Sequence, residues 1–328
     1  MRHVRGHAAA AIAMLALVVA GGCASGSDGD GATTTRETAK TTVPDAAVGS
    51  IDAAEETAST DSADGVDTDA VPPPPILTRA ARDRLEATVE SFDGQAGIAI
   101  ARARPDGTTS VVTIGDLQRA VAWSTIKVPL AMAAIAADPG TSVDADVRAA
   151  ITRSDNAAAT RLWQRLGAPR DAAASVDAQM RLLGDERTHT SSDPLRPGFS
   201  PFGQTNLALA DQARSALLLH CTAQGRSVLE LMRQIDPSQG WGIGSTSRGD
   251  AWKGGWGPGT EPGIASGYLT RQFGLLDAGG ESIGIAIAAV PANGSFASGS
   301  SELTVLAQAV DEAIGSRTRG NAAAACGQ

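Results

Sequence analysis

The sequence predicts an α+β fold: a five-stranded antiparallel sheet flanked by helices, with an all-helical region inserted. Three observations carry this. An alternating segment at 96–101 and a strand returning after a turn at 108–114 come early. A block from Val143 to about Arg233 then reads as helices and loops. Three further strand segments follow, at 250–256, 267–276 and 282–290. Strands, then helices, then strands again imply one sheet whose helical layer inserts between its second and third strands in sequence.

Taken in order, the chain opens on an expected signal peptide, 1–22. Arg2 and Arg5 precede an apolar core, Ala8 to Ala20, that is short for a membrane span. Small residues, Ala20-Gly21-Gly22, stand directly before Cys23, as at a bacterial lipoprotein cleavage site. Cys23 would then carry a lipid; an ordinary signal cut nearby is the alternative. Residues 23–76 form an expected linker of Ala, Thr, Ser, Gly and Asp ending in four prolines, with no aromatic residue to build a core. From Ala24 to Ile76 eleven acidic residues face only Arg36 and Lys40. The whole chain carries −9, so this segment holds most of the acidity and the rest is near neutral. No basic patch stands out, which argues against nucleic acid as a partner. The expected partner is the membrane, through the lipid on Cys23, and the expected location is the outer face of the bacterial cytoplasmic membrane.

Residues 77–328 are enough for one large domain. Leu77 to Phe92 is helical, with Ala81, Leu85, Val89 and Phe92 on one stripe. Ala96 to Ala101 alternates small and β-branched residues, Arg104-Pro105-Asp106-Gly107 turns the chain, and Thr108 to Ile114 returns. Gly267 to Leu276 and Ser282 to Val290 make a hairpin about Ala278-Gly279-Gly280, and Glu302 to Ile314 is an amphipathic helix. With Cys23 lipidated, Cys221 and Cys326 remain as an even pair in an oxidising compartment. A bond between them is expected, two free thiols being the alternative.

The chemistry concentrates at Ser124-Thr125-Ile126-Lys127. Three positions apart on a helix, the serine and lysine share a face. A lysine amine can take a serine proton only when desolvation or nearby positive charge lowers its pKa, and Ile126, Val128 and Leu130 suit such a setting. Two further clusters lie where partners would be needed. Ser154-Asp155-Asn156 interrupts two helical runs, and Lys253-Gly254-Gly255-Trp256 lies on a late strand. The chain has three lysines against 24 arginines, and from residue 77 on the lysines are Lys127 and Lys253 alone. Arginine appears wherever charge merely solvates the surface; a shielded lysine can release a proton and arginine cannot.

Ser-x-x-Lys, Ser-Asp-Asn and Lys-x-Gly, in that order, resemble the serine β-lactamases of class A and the penicillin-binding DD-peptidases. The resemblance spans Leu77 to Val290. It implies Ser124 as acylated nucleophile, Lys127 as its base, and Ser154 as proton relay to the leaving group. Asn156 and Lys253 would bind substrate, Gly255 would admit its backbone, and the backbone N–H groups of Ser124 and Trp256 would form the oxyanion hole. Asp155 is expected to serve its own loop. Trp123, Trp252 and Trp256 either wall a pocket or pack. No cofactor and no metal is expected, and a monomer is.

The chain departs from the family pattern twice. Gly254 stands where a hydroxyl residue usually binds the substrate carboxylate. The loop after Ser-Asp-Asn lacks the glutamate that activates the deacylating water. Asp193 is near its place but shorter, Glu186 comes too early, and His189 and Tyr268 are the remaining titratable groups weighed. The expectation is an envelope serine hydrolase that is not an efficient β-lactamase, acting on a peptidoglycan peptide or a β-lactam-like molecule. The alternative is a catalytically impaired binding lipoprotein.

Overall fold

A computed structural model of the chain describes residues 75–138, 144–263, 266–315 and 326. The expected signal peptide, Cys23 and the linker up to residue 74 lie outside the described residues. Ile76, assigned to the linker by composition, instead packs partly buried against the core.

The chain begins with α1 (Arg79–Glu90), capped by Thr78, whose hydroxyl accepts from the Ala81 N–H. Strands β1 (Gly94–Ala103) and β2 (Thr109–Gly115) follow. A short strand, β3 (Arg119–Val121), leads into a 3-10 turn, Trp123–Ile126, continued by α2 (Lys127–Ala137). The helical layer adds α3 (Ala145–Thr152), α4 (Asn156–Arg165), α5 (Pro169–Leu182), α6 (Leu209–Leu218) and α7 (Ala223–Met232). Within it lies β4 (Asn206–Ala208), which pairs with β3. The last elements are β5 (Gly249–Pro258), β6 (Tyr268–Asp277), β7 (Ser282–Pro291) and α8 (Phe296–Ile314). The main sheet runs β2-β1-β7-β6-β5, with antiparallel neighbours throughout. The expected five-stranded α+β arrangement is therefore present. The β3–β4 pair was not legible, since three-residue strands leave no periodicity to read.

The alternation in β1 and β7 sorts the two faces of the sheet. Ala99 and Ala101 pair with Ala286 and Gly284, and Ala99, Ala101, Ala286 and Ala288 face the helical layer. Ile98, Ile100, Ile285 and Ile287 face α1 and α8. Small residues on one face let a helix lie directly on the sheet; isoleucines on the other fill a deeper interlayer space. At Gly284 the approach is closest: a Cβ there would run into the carbonyl oxygen of Ala213 on α6.

Helix α8 starts six residues before the expected Glu302. Its first turns hold serines and Gly299, poor helix formers, yet Ser295 caps it by accepting from the Ser298 N–H. Gly299 is required because a Cβ would strike the Thr270 side chain. Cys221 and Cys326 are bonded, as expected, with Cα atoms 5.3 Å apart across a separation of 105 residues. Among the described residues no helix is long and apolar enough to cross a membrane.

Replacing Gly284 by Ala should lower unfolding free energy by about 3 kcal/mol, because backbone rather than a movable side chain blocks the added methyl. Urea unfolding of the purified protein measures it.

Candidate active site

The site assembles where the 3-10 turn, the α3–α4 junction and strand β5 meet. Ser124 sits inside the turn and Lys127 opens α2, with the Lys127 N–H donating to the Ser124 carbonyl. Three residues per 3-10 turn bring the two side chains onto one side. Trp123, just before, has φ 46°, a left-handed conformation that strains a residue carrying a Cβ. Its indole lies on β5, where a Cβ at Gly257 would come within 2.8 Å of the ring. At Gly255 the imagined Cβ would be 2.8 Å from the Ala122 oxygen and 2.9 Å from the Ser124 nitrogen. The sequence suggested that Gly255 admits substrate; the contact it makes possible is with the chain's own nucleophile turn.

Ser154 joins the clusters. It too is strained, at φ 57°, between α3 and α4. Lys127 Nζ donates to the Ser154 carbonyl at 2.6 Å, to Asn156 Oδ1 at 2.7 Å and to Ser154 Oγ at 3.3 Å. Lys253 Nζ donates to Ser154 Oγ at 2.9 Å and to the Gly254 carbonyl at 2.8 Å. Asp155 caps α4 through the Ala158 N–H at 2.7 Å, the loop role expected of it.

Both amines are buried, Lys127 at 2% exposure and Lys253 at 0%, and no carboxylate among the described residues is hydrogen-bonded to either. Desolvation pushes Lys127 down to about 8, opposed by Asp155. Burial, and then repulsion from Lys127, push Lys253 well below the usual lysine range. A lysine that is substantially neutral near pH 8 can act as a base.

Ser124 lines a cavity of about 280 Å³ together with Lys127, Asn156 and Trp256. Its Oγ makes no hydrogen bond with a described residue, so Lys127 shares the cavity without yet being bonded to it. Catalytic hydrogen bonds often close only around substrate. Asn156, its Oδ1 held by Lys127, keeps its amide N–H groups without a described partner. Neither Ser154 nor Lys253 is among the described residues lining the cavity, and Lys253 is fully buried.

The other walls come from a loop that sequence reasoning passed over. Phe199, Ser200 and Phe202 line the cavity with Trp123. The signal was available: Gly198-Phe199-Ser200-Pro201-Phe202-Gly203 holds two of the chain's five phenylalanines. Trp252 does not line it; its indole donates to the Gln239 carbonyl at 3.1 Å. Asp193, Glu186 and His189 are also absent from its lining, and His189 is exposed beside Asp177. Tyr268 stands instead against Phe296, with ring centroids 6.4 Å apart.

A second residue was missed. Arg271 on β6 is fully buried, where sequence reasoning assigned it no role beyond the surface arginines. It donates to the carbonyls of Ala120 at 2.7 Å, Val121 at 3.0 Å and Leu207 at 3.2 Å, and to Gln212 Oε1. Gln212 in turn donates to Thr125 Oγ1 at 2.9 Å. Burial and then Arg119 push the guanidinium down to about 9, which leaves it charged at neutral pH. One side chain thus stitches β3, β4 and the turn around Ser124 to the main sheet. Arg271→Met should lose on the order of 3 kcal/mol by orphaning these acceptors. Hydrogen exchange should show faster opening at Thr125 and Ile126.

No family model matches the chain, and no curated protein matches it. Solved structures do. A β-lactamase from Burkholderia vietnamiensis is 19% identical with TM-score 0.53, covering 72% of this chain and 96% of its own. A class A β-lactamase from Mycobacterium abscessus is 17% identical with TM-score 0.52, covering 71% and 99%. An ancestral class A β-lactamase is 20% identical with TM-score 0.52, covering 71% and 99%. Likeness at such identity speaks for architecture, and on it this chain has the serine β-lactamase and penicillin-binding-protein fold.

Proposed function

We propose that the chain is a cell-envelope serine hydrolase that forms an acyl-serine on Ser124, tethered at the membrane by a lipid on Cys23. The observation that carries the reading is Lys127: a buried amine, lowered to about 8, on the same cavity as an unbonded serine hydroxyl one turn away. The fold shared with β-lactamases supports the same reaction class.

In this reading neutral Lys127 takes the Ser124 proton as Oγ attacks a carbonyl. The developing oxyanion is met by the backbone N–H groups of Ser124 and Trp256, held together by the absence of a side chain at Gly255. Asn156 offers its free amide N–H groups to the acyl portion. Ser154 Oγ accepts from Lys253 at 2.9 Å and is not among the described residues lining the cavity, so the proton reaches a leaving group through Lys127. Deacylation is the weak step. Among the described residues lining the cavity there is neither a carboxylate nor an imidazole to activate water, so efficient β-lactamase action is disfavoured and the acyl-enzyme persists. The same lack favours a second reading, a binding lipoprotein without turnover. A Ser124→Ala, Lys127→Ala double variant that keeps the biological role would select it.

A fluorophosphonate probe should label the wild-type chain and leave Ser124→Ala unlabelled; equal labelling of both removes Ser124 as nucleophile. Acylation depends on the neutral amine, so its rate should climb about tenfold per pH unit below about 8 and level off above it. Lys127→Ala should slow acylation by roughly 10²- to 10⁴-fold and abolish that inflection, read by stopped-flow with the same probe.

A further inference from the structure

The walls and charges of the cavity specify more than a nucleophile. Trp123, Phe199, Phe202 and Trp256 present four aromatic side chains to the space above Ser124. Trp123 and Phe199 are 5.3 Å apart between ring centroids, and the Arg196 guanidinium lies 4.5 Å over Phe199. No acidic residue is among the described residues that line it.

The cations are already engaged. Lys127 is held on the Ser154 carbonyl and Asn156 Oδ1. Lys253, fully buried, is held on Ser154 Oγ and the Gly254 carbonyl. Arg196 donates to the Pro258 carbonyl at 2.6 Å and stacks on Phe199. Arg271 is fully buried among carbonyls. Beside Lys253, a side chain at Gly254 would touch the Trp241 ring at 3.1 Å and the Trp256 ring at 3.4 Å. Indole edges thus occupy the position from which a hydroxyl would have reached a ligand's carboxylate. A carboxylate entering here would exchange its water for neutral donors, the Asn156 amide and the Ser124, Thr160 and Ser200 hydroxyls, with the cations held by other partners, which disfavours it against an uncharged group. An aryl or branched apolar group gains burial and ring contacts.

We propose that the acyl group accepted by Ser124 is uncharged and aromatic or branched-apolar, delivered as an ester. The inference rests on the acyl-serine reading above. An ester is favoured over an amide because Ser154, the relay that the resemblance implied, is not among the described residues lining the cavity. An amine must be protonated to leave, whereas a stabilised alkoxide or phenolate need not wait for that proton. In the first step Ser124 Oγ bonds to the carbonyl carbon, the C–O bond to the alcohol breaks, and the serine proton passes through Lys127 to the departing oxygen. Water then adds to the acyl-serine, releasing the carboxylic acid and restoring the Ser124 hydroxyl.

The test uses the full chain and three p-nitrophenyl esters: phenylacetate, 4-carboxyphenylacetate and acetate. Each is read by the p-nitrophenolate burst and by the mass of the Ser124 peptide. Phenylacetyl transfer should exceed the carboxylated analogue by about a hundredfold and acetyl by about tenfold. Phe199→Leu and Trp256→Ala, each shown folded by thermal melting, should shrink the phenylacetyl-to-acetyl ratio toward one. Acylation of Ser124 with the carboxylated ester equal or faster overturns this inference and leaves the nucleophile standing. An unchanged ratio in both folded variants likewise overturns it. A chain that gives no Ser124 adduct with any ester, or a burst that survives Ser124→Ala, overturns the acyl-serine reading itself.

Discussion

Two lysine amines are buried around one serine, and no carboxylate among the described residues is hydrogen-bonded to either. That constraint organises the molecule. An ammonium removed from water must be met by oxygens or surrender its proton. Lys127 and Lys253 meet neutral oxygens only, from Ser154, Asn156 and Gly254. Burial lowers both, and repulsion from Lys127 lowers Lys253 further. Ser154 must therefore stand where α2, the α3–α4 junction and β5 converge, and it does so at the expense of a left-handed backbone, φ 57°. Such strain persists only where surroundings enforce it, and here both lysines bond to the strained residue.

The opposite side of the nucleophile is shaped by what is missing. Gly255 and Gly257 bring β5 against the Ser124 turn and the Trp123 ring. A side chain at either would push the strand away and separate the two N–H groups proposed to meet an oxyanion. The turn is held from a third direction by Arg271, through Gln212, to Thr125. A rigid frame of this kind is what lets a hydroxyl and an amine stay in register without being bonded to one another.

The cavity that results sets four aromatic side chains beside the Ser124, Thr160 and Ser200 hydroxyls and the Asn156 amide, with one amine and no acid among its described lining residues. The fold is that of β-lactamases, but a fold hosts many chemistries, and the lining decides which substrate gains from binding. The cations that would recognise an anion are held by other partners, and ring edges stand beside Gly254.

Much of this was legible in the chain itself. Alternating small and branched residues announced β1, the Ala278-Gly279-Gly280 turn announced the β6–β7 hairpin, and the order of strands and helices announced the inserted layer. The scarcity of lysine singled out Lys127 and Lys253 before any geometry existed. Capping by Asp155 and the bond between Cys221 and Cys326 followed from local chemistry and pairing. What sequence could not supply were contacts between residues far apart along it. Arg271 reads as one more arginine, yet its carbonyl partners lie from 59 to 151 positions away. Phe199 and Phe202 read as loop residues until the loop is folded over Ser124. Whether Lys253 faces a ligand or a neighbouring serine depends on how deeply β5 is covered. Periodicity and motif are properties of neighbouring residues, whereas burial and the sharing of one acceptor by two distant amines exist only after the layers pack.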